Sequence, residues 1–232
     1  MQIGSNGVDL MQYSQNQPEL VAEEAGFKTV CGLSSNYCYD YYHLRASVFR
    51  SELRWIGSPS DSLDIDPLDT SAMHFLTLSP RDKVIAALRI LPAHEKWMME
   101  EYFSTLMPEN VDLHSNDACD ISRLAVDKKW RNHSIDADLT VVDVLYKGVF
   151  QFCLARKIRM CNMVTTRALV AHLRKKGLPV HVIGSQRMAD GVLAIMAQLD
   201  WLAFIDTNSR RSPLRLSWYL DLSKPAHQRL AS

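Results

Sequence analysis

The chain has 232 residues, of which 47% are apolar, with 26 basic and 26 acidic side chains and so no formal net charge. That balance argues against nucleic acid as the default partner, and the length is enough for one domain with a sizeable core and appended tails. No apolar run approaches roughly 18 residues and the N-terminal MQIGSNGVDLMQYSQNQPEL lacks a signal-peptide core, so no membrane insertion is expected and the location reads as cytoplasmic.

In chain order, residues 1–36 are polar and weakly periodic, and read as an extension outside the core. A helix is expected over 39–53, where Tyr42, Leu44, Val48, Phe49 and Leu53 keep helical spacing. The Pro-, Ser- and Asp-rich segment 56–71 is a loop. Strands over 73–78 and 83–91 are joined by Ser79-Pro80-Arg81-Asp82, which has hairpin chemistry. A short helix covers 97–106. Next comes a buried strand (Ile121, Leu124, Ala125, Val126), a basic loop, and a helix from near Asp136. A further strand over 159–165 leads to a helix over 167–176 closed by Gly177, at the position where a C-terminal glycine belongs. Strands over 180–183 and 192–199 follow, and from about Thr207 an edge strand or a tail. The domain reading is therefore 1–36 extension, 37–206 domain and 207–232 tail. Five cysteines without a C-x-x-C pair read as reduced thiols, and eight histidines without ligand spacing give no metal site.

Helix, hairpin, helix, strand, helix, strand, helix, strands is the order of an α/β protein of N-acyltransferase (GNAT) type, with a central mixed twisted sheet and helices on both faces. A strand that delivers a cationic loop to a helix N-terminus is also a phosphate site in physical terms. Val126 ends that strand and Arg131 lies five residues on, before Ser134-Ile135-Asp136. This spacing resembles the acetyl-coenzyme A N-acyltransferase signature with its turn glycines replaced, which points to a phosphopantetheine arm on a carrier protein.

The charged residues upstream form a second pattern. Arg45 and Phe49 lie four apart on one helix, Trp55 follows, and Asp66 and Asp69 bracket Pro67-Leu68. Arg89 interrupts an apolar strand, where a guanidinium is costly unless a carboxylate meets it. Asp120 and Arg123 flank Ile-Ser on the central strand. In this register the chain resembles the acyl-homoserine-lactone synthases, whose pattern is Arg-x3-Phe, Trp, Asp-x2-Asp, Arg and Glu-x2-Arg. The likeness covers roughly residues 38 to 200, with Asp120 standing where the family usually has Glu.

The resemblance implies an enzyme with no cofactor and two substrates, S-adenosylmethionine and an acyl chain borne as a thioester on acyl carrier protein. Amide formation on the α-amine is followed by lactonisation and release of methylthioadenosine. Asp120 would take the amine proton with Arg123 fixing the site, while Arg45, Phe49, Trp55, Asp66, Asp69 and Arg89 would hold S-adenosylmethionine. Phe103, Val126, Arg131, Met163 and Thr165 would meet the acyl and phosphopantetheine groups, and Met163, which cannot donate a hydrogen bond, favours an unsubstituted chain. Lys128, Lys129, Arg174, Lys175 and Lys176 would receive the acidic carrier protein.

Each residue type also has a plain structural use. Phe49 and Trp55 serve as core aromatics, Asp66 and Asp69 as turn residues, Asp120 with Arg123 as an ion pair, and the lysines as solvated charge. Two other functions stay open: an N-acyl amino acid synthase with the same donor and a free amino acid as acceptor, and a catalytically silent partner-binding module.

Overall fold

The computed structural model describes residues 17–57, 61–107, 113–136, 138–187 and 193–221. They form two compact units, one of Met1–Ile90 with Arg123–Val149, the other of Leu91–Ser122 with Phe150–Ser232.

In the first unit, β1 (Glu19–Glu24), β2 (Phe27–Cys31), β3 (Met73–Leu78) and β4 (Val84–Pro92) follow one another as antiparallel neighbours, with the last part of β5 (Ala118–Val126) next in order. The sequence places residues 1–36 outside the core. The structure instead builds β1 and β2 there, with Ala22, Phe27, Val30 and Leu33 buried. Their alternation is short and interrupted by Lys28 and the Ala25-Gly26 turn, which hides the period from a linear reading.

Helices cover both faces of these strands. Helix α1 (Ser35–Ala46) continues as a wider π-helical turn over Ser47–Glu52 and packs Tyr41, Tyr42, Val48 and Phe49 against Leu76, Ala87 and Ala125. On the other face, Val141 and Val144 of α3 (Val141–Ala155) meet Ala22, Phe27 and Ile85. That helix starts later than the expected Asp136, because β6 (Ser134–Asp136) and β7 (Leu139–Thr140) first form a small ladder. Asp143 then caps the helix by accepting from the Thr140 amide and hydroxyl, each at 2.7 Å.

In the second unit, the first part of β5 pairs in parallel with β8 (Met160–Thr165), and β10 (Leu193–Asp200) pairs antiparallel with both β8 and β9 (Val180–Arg187). The strands are therefore mixed in direction, as expected. Helix α2 (Met98–Phe103) precedes β5, and α4 (Arg167–Lys175) joins β8 to β9, ending before Gly177 at φ +79°.

The segment read as an edge strand or tail is helical. Helices α5 (Trp201–Arg211) and α6 (Pro213–Tyr219) pack Trp201, Phe204 and Tyr219 around Phe150, with ring centroids 5.2, 5.4 and 5.5 Å from it. Ser212-Pro213 is a helix-start pair, and Leu216 and Tyr219 fall three apart on the inward side. No helix among the described residues is long and apolar enough to cross a membrane.

Candidate active site

Asp66-Pro67-Leu68-Asp69 folds into a single 3-10 turn whose own side chains brace it. Asp66 accepts from the Leu68 amide at 3.0 Å, and Asp69 returns to the Asp66 amide at 2.8 Å. Proline at the first helical position suits its fixed φ. The turn thereby fixes two carboxylates before any cation arrives.

Three arginines from three elements converge on it. Arg45 of α1 donates from Nε to Asp64 at 3.1 Å and grips Asp69 with both terminal nitrogens, at 2.7 and 3.2 Å. Arg89 of β4 reaches Asp66 at 2.6 Å and Asp69 at 2.9 Å. Arg123 of β5 reaches Asp64 at 2.9 Å and Asp66 at 2.8 Å. Its φ of +57° is a left-handed kink inside a strand, and such a kink re-aims a side chain. Three guanidinium groups and three carboxylates alternate, so the cluster carries no formal charge.

Burial divides this cluster in two. Arg45, Arg89 and Asp69 have fully buried side chains, whereas those of Asp66 and Arg123 each keep 11% exposure. The inner trio is thus a frame, and the outer pair is what a ligand can reach. Burial opposes the Asp69 charge, but Arg45 and Arg89 outweigh it and hold the carboxyl well below the usual range. Arg45 is likewise held charged against its own burial by Asp69 and Asp64. Behind them, burial depresses the His74 imidazole to about 4, so it is neutral. Its Nε2 lies 3.0 Å from the Asp69 carbonyl and its Nδ1 3.1 Å from the Tyr41 hydroxyl.

Phe49 and Trp55 flank the outer pair. The Arg123 guanidinium carbon stands 5.5 Å from the Phe49 ring centroid, and the Phe49 and Trp55 rings are 6.2 Å apart. Phe49 is buried, whereas Trp55 is 39% exposed and presents an aromatic face. Its loop is tied down by the Trp55 amide on the Phe49 carbonyl at 2.9 Å and by Arg50 on Asp61, also at 2.9 Å. Gly57 sits at φ +53°, a left-handed conformation that favours glycine, and a Cβ there would displace the Arg50 guanidinium.

Asp64 is the residue that the sequence reading left unnamed. It is 1% exposed and joins Arg45 to Arg123. The sequence offers Asp120 as the carboxylate for Arg123, and the pairing of Arg123 with Asp64 is visible only in the structure.

In the second unit, Asp120 is fully buried and accepts from the Met99 amide at the start of α2, at 3.1 Å. Register sets it beside Asn162 on β8, and Asn162 in turn beside Gln198 on β10. Gln198 donates to Asn162 at 2.8 Å. Side chains alternate along a strand, so Met163 points to the face opposite Asp120 and Asn162. The residue on β8 that pairs with Asp120 is the amide Asn162. Thr165 shares the face of Met163, both are buried, and Phe103 ends α2 half-buried.

The phosphate-loop reading is altered. Arg131 donates to the Val126 carbonyl at 3.0 Å and to Glu52 at 2.6 Å, so it closes the end of β5. The loop also leads into β6 rather than directly into a helix N-terminus. Lys128 and Lys129 are exposed in that loop. Arg174 and Lys175 are exposed on α4 and Lys176 is half-buried at its end. Arg174 donates to the Val180 carbonyl at 2.9 Å, and a cleft of about 410 Å³ beside it is lined by His181 and Arg211 among others.

A family model described as autoinducer synthase matches residues 31–208. An acyl-homoserine-lactone synthase of Aeromonas hydrophila is 23% identical over 151 residues, which are 65% of this chain and 73% of that protein. The crystal structure of the AHL synthase LasI superposes with a TM-score of 0.64 at 20% identity, covering 75% of this chain and 89% of LasI. BjaI, a CoA-dependent acyl-homoserine lactone synthase solved with MTA, gives 0.64 at 19% identity, covering 84% of this chain and 89% of BjaI.

Proposed function

The chain belongs to the autoinducer synthase family, and from that premise we propose that it acylates the α-amine of S-adenosylmethionine and closes the product to an acyl-homoserine lactone. The observation that carries this reading is the neutral Arg–Asp cluster with only Asp66 and Arg123 reaching its surface, beside Phe49 and Trp55. A methionine zwitterion with an adjoining sulfonium and a purine asks for an anion, a cation and aromatic faces held rigidly. Arg45, Asp69 and Arg89 would serve as the frame that holds those groups in place, and Asp64 belongs with them.

The first step requires a neutral amine. Asp120 would take the proton as nitrogen attacks the thioester carbonyl, and the tetrahedral intermediate would collapse by expelling the pantetheine thiolate. The Met99 amide on Asp120 supports this role by fixing the carboxylate. In the second step the methionine carboxylate attacks its own γ-carbon, and methylthioadenosine leaves. That step neutralises a sulfonium and a carboxylate together and needs no further base.

The donor is proposed to be acyl carrier protein, on the strength of the exposed Lys128, Lys129, Arg174 and Lys175. The deciding experiment incubates the pure protein with S-adenosylmethionine and either acyl-acyl carrier protein or acyl-coenzyme A, and follows products by mass spectrometry. One methylthioadenosine and one acyl-homoserine lactone per thiol released is the expected result. Release that needs a free amino acid and leaves S-adenosylmethionine intact would identify an N-acyl amino acid synthase instead.

A further inference from the structure

In the second unit, Cys119 of β5 stands opposite Cys161 of β8 in parallel register, their sulfurs 3.6 Å apart. Cys153, near the end of α3, brings a third sulfur, and all three lie within 4.8 Å of one another. Each side chain is fully buried, and none is in a disulfide. The indole N–H of Trp201 is buried without a hydrogen-bond partner among the described residues, and it lies beside Cys153 and Cys161.

We propose that Cys119, Cys153 and Cys161 form a trigonal thiolate site for a soft monovalent cation, Cu(I). Metal–sulfur bonds of about 2.3 Å in a flat triangle set sulfurs about 4.0 Å apart, and the observed spacings bracket that value. Thiolates without a carboxylate or imidazole select soft ions. Structural zinc sites take four ligands, and this cluster offers three in a dry core.

Three thiols can pack as small apolar groups. Packing alone gives no use for the Trp201 donor, whereas a thiolate cluster does. Each thiol that binds as a thiolate releases its proton to solvent, and no electron is transferred. Cys119 directly precedes Asp120, and Cys161 directly precedes Asn162. An ion here would therefore brace β5 against β8 at the step that carries Asp120.

The test needs no acyl transfer, so its failure is separate from any failure of the synthase reading. The full chain, reduced and anaerobic, is titrated with Cu(I) held by bathocuproine disulfonate. Uptake of one Cu(I) per chain is expected, with three sulfur neighbours at about 2.3 Å by X-ray absorption. Cys153→Ala should weaken uptake at least tenfold, and Cys31→Ser should leave it unchanged. The absorption measurement uses the unaltered protein and so stands even if Cys153→Ala fails to fold. No uptake by the unaltered protein, fewer than three sulfur neighbours, or unchanged uptake in folded Cys153→Ala would each overturn the site.

Discussion

Arg45 holds Asp69 in a two-pronged ion pair, at 2.7 and 3.2 Å, with both side chains removed from solvent. The pair joins α1 to the turn after the aspartate-rich loop, and Arg89 joins the same carboxylate to β4. Removing one partner leaves a buried charge uncompensated. Asp69→Asn should therefore lower unfolding stability by about 3–5 kcal/mol in urea titrations. Trp55→Ala, at an exposed position, should leave the urea midpoint nearly unchanged while raising KM for S-adenosylmethionine. A stable Asp69→Asn protein would show that the inner trio is not the frame of the site.

The acid side of the stability profile follows from two buried groups in this region. His74, held at about 4 by burial, is neutral in the folded chain and gains a proton near 6.5 when unfolded. The unfolded state thus binds more protons between those values, and stability should fall as pH drops from about 6.5 to 4. Asp69, depressed in the folded chain, contributes fully above its unfolded value of about 3.9 and loses that contribution as pH falls further. His74→Gln should flatten the first window and leave the second. Urea midpoints measured every half unit of pH would reveal an unaltered slope if His74 were charged in the folded protein.

Asp120→Asn keeps the shape of the buried side chain and its acceptor for the Met99 amide, and removes the base. Turnover should fall on the order of 10²-fold or more with the fold intact by circular dichroism. Asp120→Glu should retain more activity than Asp120→Asn, although one added methylene in a fully buried position costs about 1–3 kcal/mol of stability. Equal activity in all three proteins would assign the proton to another group.

Charge reversal on α4 tests the donor. Lys175→Glu with Lys176→Glu should raise the KM for acyl carrier protein several-fold and leave that for S-adenosylmethionine unchanged. The difference should shrink with salt, because exposed charges steer a partner only within about a Debye length, near 10 Å at 0.1 M. A rise in both KM values would indicate damage to the fold rather than to docking.

The sequence alone determined the order of the main strands and helices from residue 39 to 199, without the β6–β7 ladder, and the three arginines of the cluster with Asp66 and Asp69. Those features are local: an apolar period, a Pro-x-Asp turn, and an arginine in an apolar strand that demands a carboxylate. It did not determine β1 and β2, whose short alternation has meaning only once β3 is alongside, nor α5 and α6, whose helical face is recognisable only with Phe150 to pack on. Which members of the charged set are frame and which are accessible was also undecidable from a linear pattern. Arg45 and Arg123 look alike in sequence, yet one is fully buried and the other keeps 11% exposure, because burial depends on what the rest of the chain places over each side chain. Asp64 entered the cluster for the same reason. The loop held several aspartates, and only the converging positions of α1 and β5 selected the one that joins Arg45 to Arg123.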